Sequence, residues 1–111
     1  MVWEGLRNAR IAFEQGESTG WKGCVMGVRL ALENWQKIEP EDLSQNEKTK
    51  RTKRQRLDHL RWSLLQIGHF LSHNGAEECS RDDALLLLST LSTLLAERTV
   101  MSDGITACPD G

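Results

Sequence analysis

The chain has 111 residues, 39% hydrophobic and 27% charged, with a formal net charge of -2. That mixture fits one globular domain with a single core, and no apolar run approaches the about 18 residues that a membrane span needs. The opening Met-Val-Trp-Glu-Gly-Leu-Arg puts no basic flank ahead of an apolar stretch, and Cys24, Cys79 and Cys108 are scattered and odd in number, without a CxxC. These features argue against a secretory signal, a disulfide framework and a zinc knuckle, and we expect a reduced, cytoplasmic protein.

Both prolines, Pro40 and Pro109, lie outside the periodic segments, Tyr is absent, and Leu recurs at threes and fours. That spacing predicts four helices. The first covers about Val2 to Glu14, with Val2, Leu6, Ala9 and Phe13 on one stripe and Trp3 and Ala12 at its side. Gly16 is placed to end it, and Ser18 or Thr19 to cap the next. The second covers about Gly20 to Ile38. Its stripe holds Trp21, Cys24, Val28, Ala31 or Leu32, and Trp35. Gly20, Gly23 and Gly27 stand beside that stripe at helical spacing. Each glycine inside a helix costs up to about 1 kcal/mol relative to Ala. Either another helix packs very close there, or the helix starts late, near Gly23.

Glu39-Pro40-Glu41-Asp42 interrupts the pattern, because Pro40 lacks a donor and biases Glu39 away from helix. A connection to about Asn46 is expected, and then a third helix from Asn46 to His73, stopped by Asn74-Gly75. Leu57, Leu60, Leu64, Ile67 and Leu71 form its expected buried stripe. The fourth helix follows Cys79. Ser80-Arg81-Asp82-Asp83 resembles a capping box, with acids in the first turn where the helix dipole favours them. Ala84, Leu87 or Leu88, Leu91, and Leu94 or Leu95 follow to Arg98, and Leu85 and Leu86 widen the apolar surface. The expected domain is residues 1–98, and residues 99–111 form a flexible tail.

At about 100° per residue, Asp58, Arg61, Trp62, Leu65, His69 and His73 gather on the side of helix three away from the leucine stripe. A face that mixes apolar and ionisable side chains suits an interface or a wet cleft. Trp62 and Leu65 are therefore interface candidates. His69 and His73, four apart, share a face. A metal would need further ligands from Glu77, Glu78 or Cys79, and no metal or other cofactor is expected. With Arg61 two turns earlier, the pair could instead serve a phosphodiester, Arg61 holding the anion and His69 moving a proton. Alternatively His69 packs under Trp62 or caps a chain end, and His73 is solvated.

Lys48, Lys50, Arg51, Lys53, Arg54 and Arg56 form a basic run. With Glu47 this segment carries +5, which leaves -7 for the rest of a chain of net charge -2. The run is either an RNA-contacting track or a solvated helix start that pairs with Glu39, Glu41 and Asp42. Trp3, Trp21, Trp35 and Phe13 are expected in the core. Cys24 is expected to be buried and inert, Cys79 and Cys108 more exposed. There is no Gly-rich phosphate loop, no Gly-x-Ser-x-Gly and no acidic calcium loop.

The segments Ala9-Arg10-Ile11-Ala12-Phe13-Glu14-Gln15-Gly16-Glu17 and Arg29-Leu30-Ala31-Leu32-Glu33, with helix three, resemble the HEPN superfamily over about residues 2–98. These are small all-helical domains of bacterial defence and toxin–antitoxin systems. Here Arg61 is followed by Trp62, and the interval to His69 is longer than in the family's Arg-to-His motif. The resemblance implies an antiparallel four-helix up-and-down bundle that forms a homodimer and binds RNA, nucleotides or a cognate partner protein. If active, it would be a metal-independent endoribonuclease using Arg61 and His69, with His73 or Asn74 assisting. The competing expectation is a non-enzymatic helical module for dimerisation or protein–protein interaction.

Overall fold

The structure, a computed structural model, describes residues 2–73 and 79–103, without the side chains of residues 18 and 99–103. Four α-helices carry the chain: α1 (Val2–Gln15), α2 (Glu17–Ile38), α3 (Lys53–His73) and α4 (Arg81–Asp103), with a 3-10 turn at Lys48–Lys50. No strand occurs among the described residues. The expected stop at Asn74-Gly75 and the expected exposure of Cys108 lie outside the described residues.

The turn from α1 to α2 is a single residue. Gly16 adopts φ 74° and Glu17 follows at φ 59°, and the Gly16 N–H donates to the Phe13 carbonyl at 3.1 Å. Two successive left-handed residues reverse the chain at once, the first of them a glycine that carries no Cβ penalty. As a result α2 begins at Glu17, so Ser18 and Thr19 lie inside it rather than capping it.

The glycines of α2 mark a close approach, and the neighbour is α1. A methyl group at Gly20 would stand 2.5 Å from the Ala12 carbonyl oxygen, and one at Gly27 3.1 Å from the Ala9 Cβ. From the other side, a methyl at Gly5 would stand 2.9 Å from the Ala31 Cβ. The backbones approach because neither helix has a side chain in between.

Helices α2 and α4 each pack on all the others, while α1 and α3 do not meet, and the most extensively covered helix is α2. It gives the core Cys24, Val25, Val28, Ala31, Leu32 and Trp35. Helix α1 therefore buries only a narrow stripe, Leu6 and Ala9, with Val2 and Phe13 partly covered. Trp3, expected in the core, is 59% exposed because its side of α1 has no neighbouring helix.

Helix α4 is closed at its start by a reciprocal cap, as its sequence suggests. Ser80 N–H donates to Asp83 Oδ2 at 3.1 Å and Asp83 N–H to Ser80 Oγ at 3.2 Å. Ala84, Leu87, Leu88, Leu91, Leu94 and Leu95 are buried, and Leu85 and Leu86 face outward. The helix continues to Asp103, beyond the expected end near Arg98. Cys79, expected on the surface, is buried beside the α4 N-terminus. Burial, with the negative charge of Asp83, raises its thiol; burial, with Cys79, raises Cys24 to about 11. Neither sulfur is a ready nucleophile at neutral pH.

Helix α3 departs most from expectation. It starts at Lys53 rather than Asn46. Thr52 caps it: Gln55 N–H donates to Thr52 Oγ1 at 3.1 Å, and Thr52 N–H to Gln55 Oε1 at 2.9 Å. It is also rotated about its axis. Leu60 and Ile67, expected inside, are 46% and 40% exposed, whereas Asp58, Arg61, Leu64, Leu65, Gly68 and Leu71 form the buried line. The reason is electrostatic: the end of α2 offers acceptors that Arg61 can reach only from this face.

The packing predicts opposite signs for two glycine substitutions. Gly20→Ala is expected to destabilise by roughly 1–3 kcal/mol through overpacking. Gly68→Ala meets only ordinary contact with the Arg29 side chain at 3.5 Å and is expected to stabilise by up to about 1 kcal/mol through helix propensity. Urea unfolding of the two variants beside the parent measures both.

Candidate functional site

Two regions hold the residues singled out from the sequence. The first is an arginine–carboxylate cluster at the C-terminal end of α2. A helix end leaves carbonyls without internal partners and carries partial negative charge. Here Glu39 closes α2 with its N–H on the Trp35 carbonyl at 2.7 Å. Its own carbonyl accepts from Arg61 Nη2 at 2.6 Å. Its carboxylate accepts from Trp35 Nε1 at 3.0 Å, from Arg98 Nε at 2.6 Å, and from Arg54 Nη2.

Arg61 is 2% exposed. Its guanidinium lies 4.4 Å over the Trp35 ring, 3.6 Å from Glu41 and 3.9 Å from Asp58. Burial pulls its pKa below the ordinary value, against the raising effect of Glu41, Asp58 and Glu39. Burial also works against the ionised Glu39, but hydrogen bonds from Arg98 and Trp35 and the charges of Arg98 and Arg54 prevail and lower it to about 2. A small, open cleft lies here, lined by Arg54, Arg61 and Arg98 together with Glu39, Asp58, Trp35, Leu57 and Leu94. The cluster ties α2, α3, α4 and the connection together by charge.

The connection is fastened to the same place. Asp42 N–H donates to Asp58 Oδ2 at 3.0 Å, and the Asp42 carboxylate accepts from Ser44 Oγ at 2.6 Å and Gln55 Nε2 at 3.0 Å. Those bonds lower Asp42 to about 2.

The basic run is not one helical track. It crosses the 3-10 turn, an extended link and the first turn of α3. Five of its six cations make contacts within the chain: Lys50 with Glu47, Arg51 with the Gln45 carbonyl, Lys53 with Glu97, Arg54 with Glu39, and Arg56 with the Arg51 carbonyl. Lys48, Lys50, Lys53, Arg54 and Arg56 nevertheless keep exposed surface.

The second region is the outer face of α3. His69 Nε2 lies 3.1 Å from Glu33 Oε2 of α2, an oxygen that also stands 3.7 Å from Arg29 Nε. The His69 and His73 rings stack at 5.8 Å between centroids and 25° between planes. No group of three or more potential metal ligands converges among the described residues.

The two regions are separate. Arg61 faces the end of α2, while His69 stands about 12 Å further along the α3 axis, given the helical rise per residue. Within one chain, Arg61 and His69 do not share a substrate position. Of the two interface candidates, Leu65 is 3% exposed and belongs to the core, while Trp62 stays 39% exposed. Sequence reasoning missed Leu60, Ile67 and Phe70 as surface residues; Phe70 is 58% exposed. A signal was present, since Arg61 is the only Lys, Arg, Asp or Glu between His59 and His73.

Compared with protein-family models, curated proteins and solved structures, the chain matches none.

The cluster sets the acid response of the fold. Glu39 is depressed in the folded chain, so its contribution is complete above the ordinary carboxylate value of about 4.5 and fades as pH falls toward about 2. That contribution is roughly 3 kcal/mol by linkage. Glu39→Gln is therefore expected to lower stability at pH 7 and to flatten its loss between these limits, as followed by chemical denaturation at stepped pH. Arg61→Ala leaves Glu41 and Asp58 buried without their cation and is expected to cost about 3–5 kcal/mol, in the same assay at pH 7.

Proposed function

We propose that this chain is a non-enzymatic helical interaction module, an antiparallel up-and-down four-helix bundle that pairs with a second copy of itself through the outer face of α3. One observation carries the reading. Between His59 and His73, α3 exposes Leu60, Trp62, Ile67 and Phe70 beside the uncharged Ser63 and Gln66, and every charged residue of that stretch, which is Arg61 alone, is buried. Outward helix faces in water ordinarily carry Lys, Glu or Arg. Several large apolar side chains exposed along one helix mark a contact. In a two-fold contact each patch meets its own copy, so like charges would confront each other. A face without fixed charge avoids that cost.

Buried Arg61, far from His69, gives no support within one chain to cleavage by that pair. A contact with RNA is a second reading, favoured by the exposed cations at positions 48, 50, 53, 54 and 56. It requires binding to single-stranded RNA that weakens steeply as salt rises, and filter binding without such a slope ends it.

Phe70→Glu puts a charge at the middle of the proposed contact. Sedimentation equilibrium is expected to show a dimer for the parent and at least about tenfold weaker association for the variant, the equivalent of 1.4 kcal/mol, with unchanged helical circular dichroism. A parent that stays monomeric at high concentration overturns the reading.

A further inference from the structure

We propose that two copies of this chain exchange helix α1. The reversal at Gly16 opens, α1 and α2 join into one helix from Val2 to Ile38, and the α1 of each chain docks on the α2 and α4 of the other. The partner is a second copy of the chain, and the exchange is independent of the contact through α3.

The hinge is short and strained. Gly16 is the only residue between α1 and α2. Glu17, at φ 59°, holds a left-handed conformation that its Cβ disfavours. No side chain caps α2 at Gly16, and a helix end leaves backbone groups without intrahelical partners. A continuous helix removes both defects, because the N–H groups after Gly16 then bond to the carbonyls before it. Short hinges under strain invite exchange of this kind.

The interface already made within one chain has the symmetry that exchange requires. Gly5 faces Ala31, Ala9 faces Gly27 and Ala12 faces Gly23. These pairs lie evenly about position 18, so two continuous helices running antiparallel, with a two-fold axis near that position, reproduce each of them between chains. Across the axis Gly16 of one chain comes opposite Gly20 of the other, and neither carries a Cβ to obstruct the approach. Ala12, Gly16 and Gly20 also keep the spacing of threes and fours that runs from Gly5 to Ala31. Straightening the hinge therefore leaves the whole contact on one face. A hairpin does not require that phase to continue through its turn, whereas a continuous helix does.

The rest of the fold lets α1 go. Among the described residues α1 packs on α2 and α4 and not on α3, and the second copy offers both surfaces again. The Glu39 cluster is made by α2, α3 and α4 without α1. The closed hairpin loses little chain entropy, so it dominates in dilute solution. The exchanged pair grows with concentration.

The hinge gives two variants of opposite sign. Gly16 has open space around it, so only its φ of +74° opposes a methyl group. Gly16→Ala strains the turn and favours helix. Glu17→Gly relieves the turn and weakens a continuous helix. Sedimentation equilibrium of the full chain is expected to give a dissociation constant at least about tenfold lower than the parent's for Gly16→Ala and at least about tenfold higher for Glu17→Gly. Isotope-filtered NMR of labelled and unlabelled Gly16→Ala chains refolded together is expected to show Ala9 of one chain against Gly27 of the other. Phe70→Glu leaves this dimer unchanged. A Gly16→Ala chain that stays monomeric at high concentration, or pairs without contacts between α1 and α2 of different chains, overturns the exchange. A dimer that lacks those contacts and dissociates with Phe70→Glu overturns it too and leaves the α3 contact standing. If Gly16→Ala loses its helical circular dichroism, the parent refolded at high concentration decides: the same contacts between chains uphold the exchange, and their absence overturns it.

Discussion

The last turn of α2 is where this fold is decided. A helix end leaves its carbonyls open, and Pro40 follows at once, so the chain cannot continue the ladder. Glu39 turns that defect into a hub. Arg61 takes its carbonyl, and Arg98, Arg54 and Trp35 take its carboxylate. Three helices and the connection thus meet at one residue that gains nothing from hydrophobic burial. The apolar core could tolerate small slides and rotations; this directional cluster cannot.

Such a hub is costly by itself. Arg61 is enclosed with its Nε and Nη1 lacking hydrogen-bond partners, and Glu41 Oε2 is likewise unpartnered although it stands 3.6 Å away. Buried ion pairs add little net stability over well-packed apolar groups, and their attested use is to fix one arrangement among several. Here the arrangement fixed is the rotation of α3. Arg61 pointing inward carries Leu64, Leu65 and Leu71 with it and turns Leu60, Trp62, Ile67 and Phe70 outward. The uncharged outer face is the other side of the same constraint.

Much of this was legible in the residues. Leucine spacing marks four helices, Ser80-x-x-Asp83 marks the start of α4, and the glycines of α2 mark a close neighbour. Thr52-x-x-Gln55 carries the signature of the α3 start, set within a run of charges that has no periodicity of its own. The rotation of α3 was not legible, because a hydropathy pattern counts every arginine as solvent-facing and cannot see that Asp58, Glu41 and a carbonyl await Arg61. The fate of the basic run was hidden for a related reason. Its partners Glu39 and Glu97 lie far off in sequence, outside any local window. The separation of Arg61 from His69 followed once the rotation was known, since it places them over different stretches of α2.

The one-residue reversal at Gly16 bears on the order in which the molecule assembles. Contacts across it, such as Ala12 with Gly20, close very short stretches of chain, whereas Arg98 reaches Glu39 over 59 residues. Closing a short loop sacrifices little chain entropy, and contacts near in sequence form fastest. The N-terminal pair of helices is thus the part of the fold with the smallest closure cost, whereas the bond from Arg98 to Glu39 closes one of the longest stretches of chain.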